Sequence, residues 1–307
     1  MFNENLVEYI TIKVGELYYM TYPVKRLFSK IAITMLLYEI IFQVGGSFMV
    51  EYGSNIYRNE NFSMMIAGFI SLTVSLLMLG TENIHVRYKK FNICTFIYLL
   101  LLIYGIQYLS QYIIDPLQNI LGELGYSLDN ARDLATGSDI KGFWAIVYAV
   151  IMAPLLEECF FRGILYGHFR KYGKIFAITI TSFLFGLMHF NLVQFIAAMF
   201  IGIVFAWIRE TYGMKYSILM HMANNSVALL PYLYKGDSIV IDVAYFFLLF
   251  GGALLLVISV IRNFKVFLRN LSEEPSLGHM YKLWFTTFSV IVVTILFVVI
   301  TLFSITG

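Results

Sequence analysis

Stretches of about twenty apolar residues, long enough to cross a bilayer core of about 30 Å as helix, recur along this chain from residue 30 to residue 304. This one property rules out most folds. A segment in lipid has no water to satisfy its N–H and C=O groups, so only helices or a closed barrel can span. The runs are too long and too uniformly apolar for barrel strands. The expected fold class is all-α: a polytopic membrane helical bundle of eight to nine transmembrane helices. The nine candidate spans are 30–50, 62–80, 92–114, 143–167, 175–190, 192–207, 216–234, 240–261 and 283–304. The fifth and sixth are short and nearly contiguous, which suggests a tight helical hairpin.

Composition agrees: 60% of residues are apolar and 13% charged, against about 45–50% and about 25% for soluble domains. A formal net charge of +2 carries no nucleic-acid signature, because the basic residues cluster beside apolar segments. They follow the positive-inside pattern. Lys25, Arg26 and Lys30 precede the first span, Arg87, Lys89 and Lys90 fill the second loop, and Arg170, Lys171 and Lys174 the fourth. Arg209 and Lys215 flank the sixth loop, and Arg262, Lys265, Arg269 and Lys282 lie in the eighth. The expected N-terminus is therefore cytoplasmic. Glu4, Glu8, Lys13, Glu16 and Lys25 interrupt the opening residues, so no cleavable signal peptide is expected. Cys94 and Cys159 both lie in apolar runs, which excludes a disulfide framework or a Cys-rich metal site. Four parts follow: a cytoplasmic segment 1–29, a three-helix membrane part with an external loop 30–141, a polar-bearing core 142–235, and C-terminal helices 236–307.

Charge inside the apolar runs is costly and marks function by default. Glu157 and Glu158 lie in the run Pro154-Leu155-Leu156-Glu157-Glu158-Cys159-Phe160-Phe161-Arg162. Glu158 and Arg162 are four apart, share a helix face and are expected to pair. Glu157 lies about 100° round the helix, faces another neighbour and is left free for acid–base chemistry. The plain alternative is that both acids only bond across helices. His189 and His221 lie in or at the end of apolar spans, with Phe185 and Asn225 four residues away on their respective faces. His85, His168 and His279 read instead as solvated interfacial residues. Cys159 faces away from Glu157 and reads as packing. Glu39 and Gln43, four apart on the first span, form another polar pair of no assigned function.

Glu157-Glu158-x-x-x-Arg162, Phe185-x-x-x-His189 and His221-x-x-x-Asn225, in this order and each on its own membrane segment, resemble the three motifs of the CPBP (Abi) intramembrane proteases. That group includes the CAAX prenyl endopeptidases. The similarity covers about residues 143–230. It implies that Glu157 and His189 activate a water for attack on a peptide carbonyl, that His221 and Asn225 stabilise the oxyanion, and that Glu158 and Arg162 support them. The implied function is hydrolysis of a peptide bond in a membrane-associated or hydrophobic peptide, in bacteriocin immunity, peptide maturation or envelope regulation. The alternative is a membrane scaffold for a partner such as a sensor kinase. The expected partners are the lipid bilayer, a peptide or small membrane-protein substrate and an envelope protein; the expected location is a bacterial cell membrane. Glu157, His189 and His221 also make a His₂Glu set like that of several zinc hydrolases. Metal-free chemistry is the expectation, with zinc the alternative.

The topology leaves one conflict. Glu157 falls roughly 15 Å below the cytoplasmic end of its span, whereas His189 falls near the external end of a short segment. The fifth segment is therefore expected to be oblique or to begin inside the protein.

Overall fold

The computed structural model describes residues 4–84, 86–136, 142–234, 238–274 and 276–306. Among these residues the regular structure is helical, with one isolated antiparallel bridge between Ser127 and Thr306. Helix α1 (4–52) runs through a π-helical turn at Ile40–Gly45. It is followed by α2 (Glu60–Leu79), α3 (Ile93–Glu123) and the short α4 (Asp129–Thr136). Helix α5 (Phe143–Arg170) carries two more π-helical stretches, Tyr148–Met152 and Cys159–Leu165. Then come α6 (Lys174–Leu187), α7 (Leu192–Tyr212), α8 (Met214–Tyr234), α9 (Ile239–Ser272), α10 (Leu277–Phe285) and α11 (Phe288–Leu302).

Six of these helices are long and apolar enough to span a membrane, or seven if α10 and α11, bent by 74°, form one broken span. The sequence reading of eight to nine counts two helices that fall short of that standard. Helix α6 has 14 residues, about 21 Å at 1.5 Å per residue. In α8, His221, Asn224 and Asn225 dilute the apolar surface. The third span also runs past its expected end at 114, continuing through Pro116 to Glu123. The expected external connection thus holds the end of α3 and the short helix α4, while residues 137–141 lie outside the described set.

The most extensive packing joins α3 to α9 and α6 to α7. At the first contact Gly105 meets Gly252. A Cβ built on Gly105 would lie 2.3 Å from the Gly252 carbonyl oxygen, so neither position tolerates a side chain. Such small-residue contacts drive helix association where lipid removes the hydrophobic driving force. The main core is aromatic. Phe28 of α1 and Phe169 of α5 each meet Trp284 of α10 edge-on, both at 5.2 Å between centroids, and Phe169 meets Phe176 of α6 at 5.6 Å. These edge-to-face contacts fix α1, α5, α6 and α10 together at one end of the bundle.

Two histidines outside the core can be placed. His279 is exposed, as the sequence suggests. His168 is not solvated: it is 5% exposed, with Nδ1 3.3 Å from Glu82. The loop after α2 folds over this end of α5, where the absent side chain of Gly167 lets the Glu82 backbone approach. His85 lies outside the described residues.

Candidate active site

Helix α5 is shaped by Pro154. Proline lacks an N–H, and its ring clashes with the carbonyl four residues earlier in a regular helix. The turn before it widens into the π stretch Tyr148–Met152, and the Ala153 N–H reaches back to the Tyr148 carbonyl. In that register the Ala149 carbonyl would look to residue 154 for a donor, and Pro154 has none. Asn225 of α8 supplies it, donating from Nδ2 to the Ala149 oxygen at 2.9 Å. π-Helical turns inside α-helices are frequent at functional sites. Here two of them bracket the α-helical turn Ala153–Glu158 that carries both glutamates.

The two acids face different surroundings. Glu158 is fully buried and receives three side chains. Arg162 Nη1 lies 3.4 Å from its Oε1, His221 Nδ1 lies 3.2 Å from the same oxygen, and the Ser217 hydroxyl contacts Oε2. Arg162 is also fully buried. Its Nη2 donates to the Gly202 carbonyl at 3.1 Å, and its guanidinium lies 4.4 Å from the Phe185 ring centroid. A Cβ at Gly202 would lie 3.1 Å from Arg162 Nη2, so any side chain there displaces the guanidinium. Glu158 is thus clamped by α5, α7 and α8 together.

Glu157 has a side chain 30% exposed, with Oε2 3.6 Å from His221 Nε2. That separation is beyond hydrogen-bond distance. The His221 imidazole therefore lies between the two carboxyl groups, one at each ring nitrogen. Its plane is fixed by stacking on Phe205, 4.5 Å between centroids and 25° between planes.

His189 does not belong to α6. It lies in the turn between α6 and α7, where Phe190 adopts a left-handed φ of 49° and Asn191 caps α7 by accepting from the Gln194 N–H at 3.0 Å. Asn191 Nδ2 also bonds the Ala131 carbonyl at 2.9 Å, which ties the turn to α4. His189 Nδ1 is 2.7 Å from the Phe185 carbonyl. A carbonyl only accepts, so Nδ1 carries the proton, and in the neutral ring Nε2 keeps its lone pair.

Glu157 and His189 line one cavity of about 180 Å³. The short α6 with its terminal turn resolves the depth conflict, because His189 meets the bundle interior instead of continuing to a membrane surface. Tyr38, Glu39 and Gln43 of α1 and Tyr148 of α5 form the remaining polar wall. His221 reaches Glu157 from behind that wall, and Asn225 is not part of the lining. Asn225 accepts from Asn224 Nδ2 at 3.0 Å while donating to Ala149.

Sequence reading did not single out Ser217, although Ser217, His221 and Asn225 follow at intervals of four and share one face of α8. It noted Glu39 and Gln43 but did not connect them to Glu157, since no spacing rule links residues 118 positions apart. Among the described residues no group of three or more His, Cys, Asp or Glu side chains is arranged to hold a metal ion. The set Glu157, His189 and His221 is not gathered into a ligand shell. His221 presents Nδ1 to Glu158 and Nε2 to Glu157.

No curated protein and no solved structure matches the chain. Residues 139–227, which include every candidate site residue from Glu157 to Asn225, match the family model for type II CAAX prenyl endopeptidase Rce1-like proteins. This stretch, under a third of the chain's length, is thus an Rce1-like domain similar to the CAAX (CPBP) proteases.

Proposed function

We propose that this protein is an intramembrane endopeptidase that hydrolyses a peptide bond in a membrane-associated or hydrophobic peptide. The observation that carries the reading is the shared cavity. Glu157, the less buried of two adjacent acids, and His189, with an unprotonated Nε2 in the neutral ring, face one cavity of about 180 Å³.

In this mechanism a water in the cavity gives a proton to Glu157 as its oxygen attacks the peptide carbonyl. The tetrahedral oxyanion forms, and the proton passes to the departing amine as the C–N bond breaks. His189 Nε2 orients the water. His221 Nε2 lies beside Glu157, while Glu158, Arg162 and Ser217 hold His221 and α5. Asn225 has a second amide proton beyond the one on Ala149, which supports an oxyanion role, although its first duty is to the Ala149 carbonyl. The substrate reaches the cavity from the bilayer, near the cytoplasmic side if the loop charges set the orientation. A bacterial cell membrane and a role in bacteriocin immunity, peptide maturation or envelope regulation remain the functional setting of this proposal.

The test uses the full chain in lipid nanodiscs with two probes, a farnesylated CAAX peptide and a mixture of unmodified apolar peptides, with products read by mass spectrometry. The wild type is expected to cleave members of at least one set, and Glu157→Gln to lose that cleavage at unchanged thermal stability. Wild-type protein that cleaves neither, or cleavage equal in Glu157→Gln, overturns the reading.

A second reading is a membrane scaffold that holds an envelope or sensor protein. One observation favours it: the most apolar part of α9 is only 11% buried within the protein. A cellular phenotype fully retained by Glu157→Gln would support that reading.

A further inference from the structure

Glu39 stands outside the family-matched region and outside every role assigned above, yet it lies on the wall of the same cavity as Glu157. It is 7% exposed, a carboxyl group deep in an apolar helix where charge or polarity without a partner is costly. Its hydrogen-bond partner is Gln43 Nε2 at 3.5 Å, the outer limit of a hydrogen bond. Among the described residues no Lys or Arg lines the cavity. The other buried carboxyl group of this region, Glu158, is by contrast saturated by Arg162, His221 and Ser217. The π-helical turn Ile40–Gly45 begins at Glu39 and contains Gln43, and it widens α1 where both side chains turn toward the cavity.

A carboxyl group keeps an accepting oxygen in either protonation state. One that is nearly buried, loosely held and aimed into an open space is built to accept a hydrogen bond from what fills that space. We infer that Glu39 and Gln43 form a substrate subsite, in which Glu39 accepts an N–H group of the bound peptide and Gln43 steadies the carboxyl group. The donor is either a main-chain amide near the scissile bond or a basic side chain. Both place an N–H against an acceptor, and the acidic lining of the cavity suits either. The inference rests on the peptidase reading, and it gives α1 a part in substrate choice.

The experiment uses the full chain in nanodiscs and one apolar peptide cleaved by the wild type, or the farnesylated CAAX peptide if only that is cleaved. Glu39→Leu is expected to raise KM about tenfold, the worth of a hydrogen bond to a charged or strongly polar group, with kcat changed less than about threefold. Glu39→Gln keeps an accepting oxygen and is expected to restore KM to near the wild-type value. Peptides N-methylated at single amides, or with lysine replaced by norleucine, identify the donor: the relevant change weakens binding to the wild type and has no effect on Glu39→Leu. An unchanged KM in Glu39→Leu, or a fall in kcat alone, overturns the inference.

Binding of the same peptides to Glu157→Gln and to Glu157→Gln/Glu39→Leu, read by fluorescence anisotropy, separates the two claims. If the wild type cleaves nothing, the peptidase reading fails. The subsite is then judged by affinity, with equal binding to the two variants overturning it and weaker binding to the double variant upholding it. If Glu39→Leu does not fold, Gln43→Leu is expected to show a smaller KM rise, and no rise at all overturns the inference.

Discussion

A buried carboxylate that keeps three partners and a half-buried one that keeps a single loose contact respond differently to mutation. Removing Arg162 as Arg162→Ala strands the Glu158 charge with only neutral or shared partners, and breaking a buried pair in this way costs about 3–5 kcal/mol. The expected readout is a lower unfolding midpoint in detergent together with lost cleavage. Arg162→Lys is expected to recover little, since a lysine cannot both reach Gly202 and lie flat on Phe185. Glu157→Gln is expected to do the reverse, leaving the midpoint unchanged and lowering cleavage by about a hundredfold or more. Cleavage is also expected to persist in the presence of a strong divalent chelator. Loss on chelation, with recovery on adding zinc, would return Glu157, His189 and His221 to the ligand roles that their residue types allow. The split between the two glutamates was readable from helix spacing alone, because both ends of the Glu158–Arg162 pair lie on one helix. The bond from Asn225 to Ala149 was not: it depends on an orphan carbonyl created by Pro154, and nothing in spacing says which distant amide will satisfy it.

At the scale of helices, the Gly105–Gly252 contact sets how closely α3 and α9 approach. Gly252→Leu cannot be accommodated without separating the two backbones. The expected result is a fall in the unfolding midpoint and in the yield of folded protein, while Gly251→Leu, at a position with open space, is expected to be tolerated. A second prediction concerns the loop that caps α5. Lys171, hydrogen-bonded to Glu82 at 3.2 Å, holds the Glu82 carboxyl below the usual carboxylate range. The contribution of this contact is complete above the ordinary glutamate pKa of about 4.3 and is lost as pH falls through the lowered folded value. Stability measured against pH is expected to fall on the acid side in the wild type and to fall less in Glu82→Gln. The effect is small because the group is partly exposed. Most helices were legible as apolar runs. Their ends were not: α3 continues through Pro116 to Glu123, and its Gln118 side chain accepts the Leu128 N–H at 2.7 Å, a contact invisible to hydropathy. The short α6 was readable as a hairpin arm, but not as the element that presents His189 to the interior, because that outcome depends on the turn with its left-handed Phe190.

For the whole molecule, the site is assembled from parts of unlike origin. The family-matched stretch supplies Glu157, His189, His221 and Asn225, while α1 closes the cavity with Tyr38, Glu39 and Gln43. The core lacks one wall without the N-terminal helix, so co-expressing residues 142–307 with and without a separate 1–141 fragment is expected to give cleavage only in the reconstituted pair.

Helix α9 has 34 residues, about 51 Å of helix facing a hydrocarbon layer of about 30 Å, and most of its apolar surface meets lipid. Its backbone meets that of α3 at the glycine crossing. One residue from that crossing, the Tyr104 hydroxyl donates to the Asn224 carbonyl, and Gln107 bonds the Asn224 side chain, beside Asn225. A helix longer than the layer it crosses is expected to answer a change in bilayer thickness by tilting, and the glycine pair is where such a tilt would turn α9 against α3. The turnover rate should therefore vary with acyl-chain length, and Tyr104→Phe should blunt that dependence.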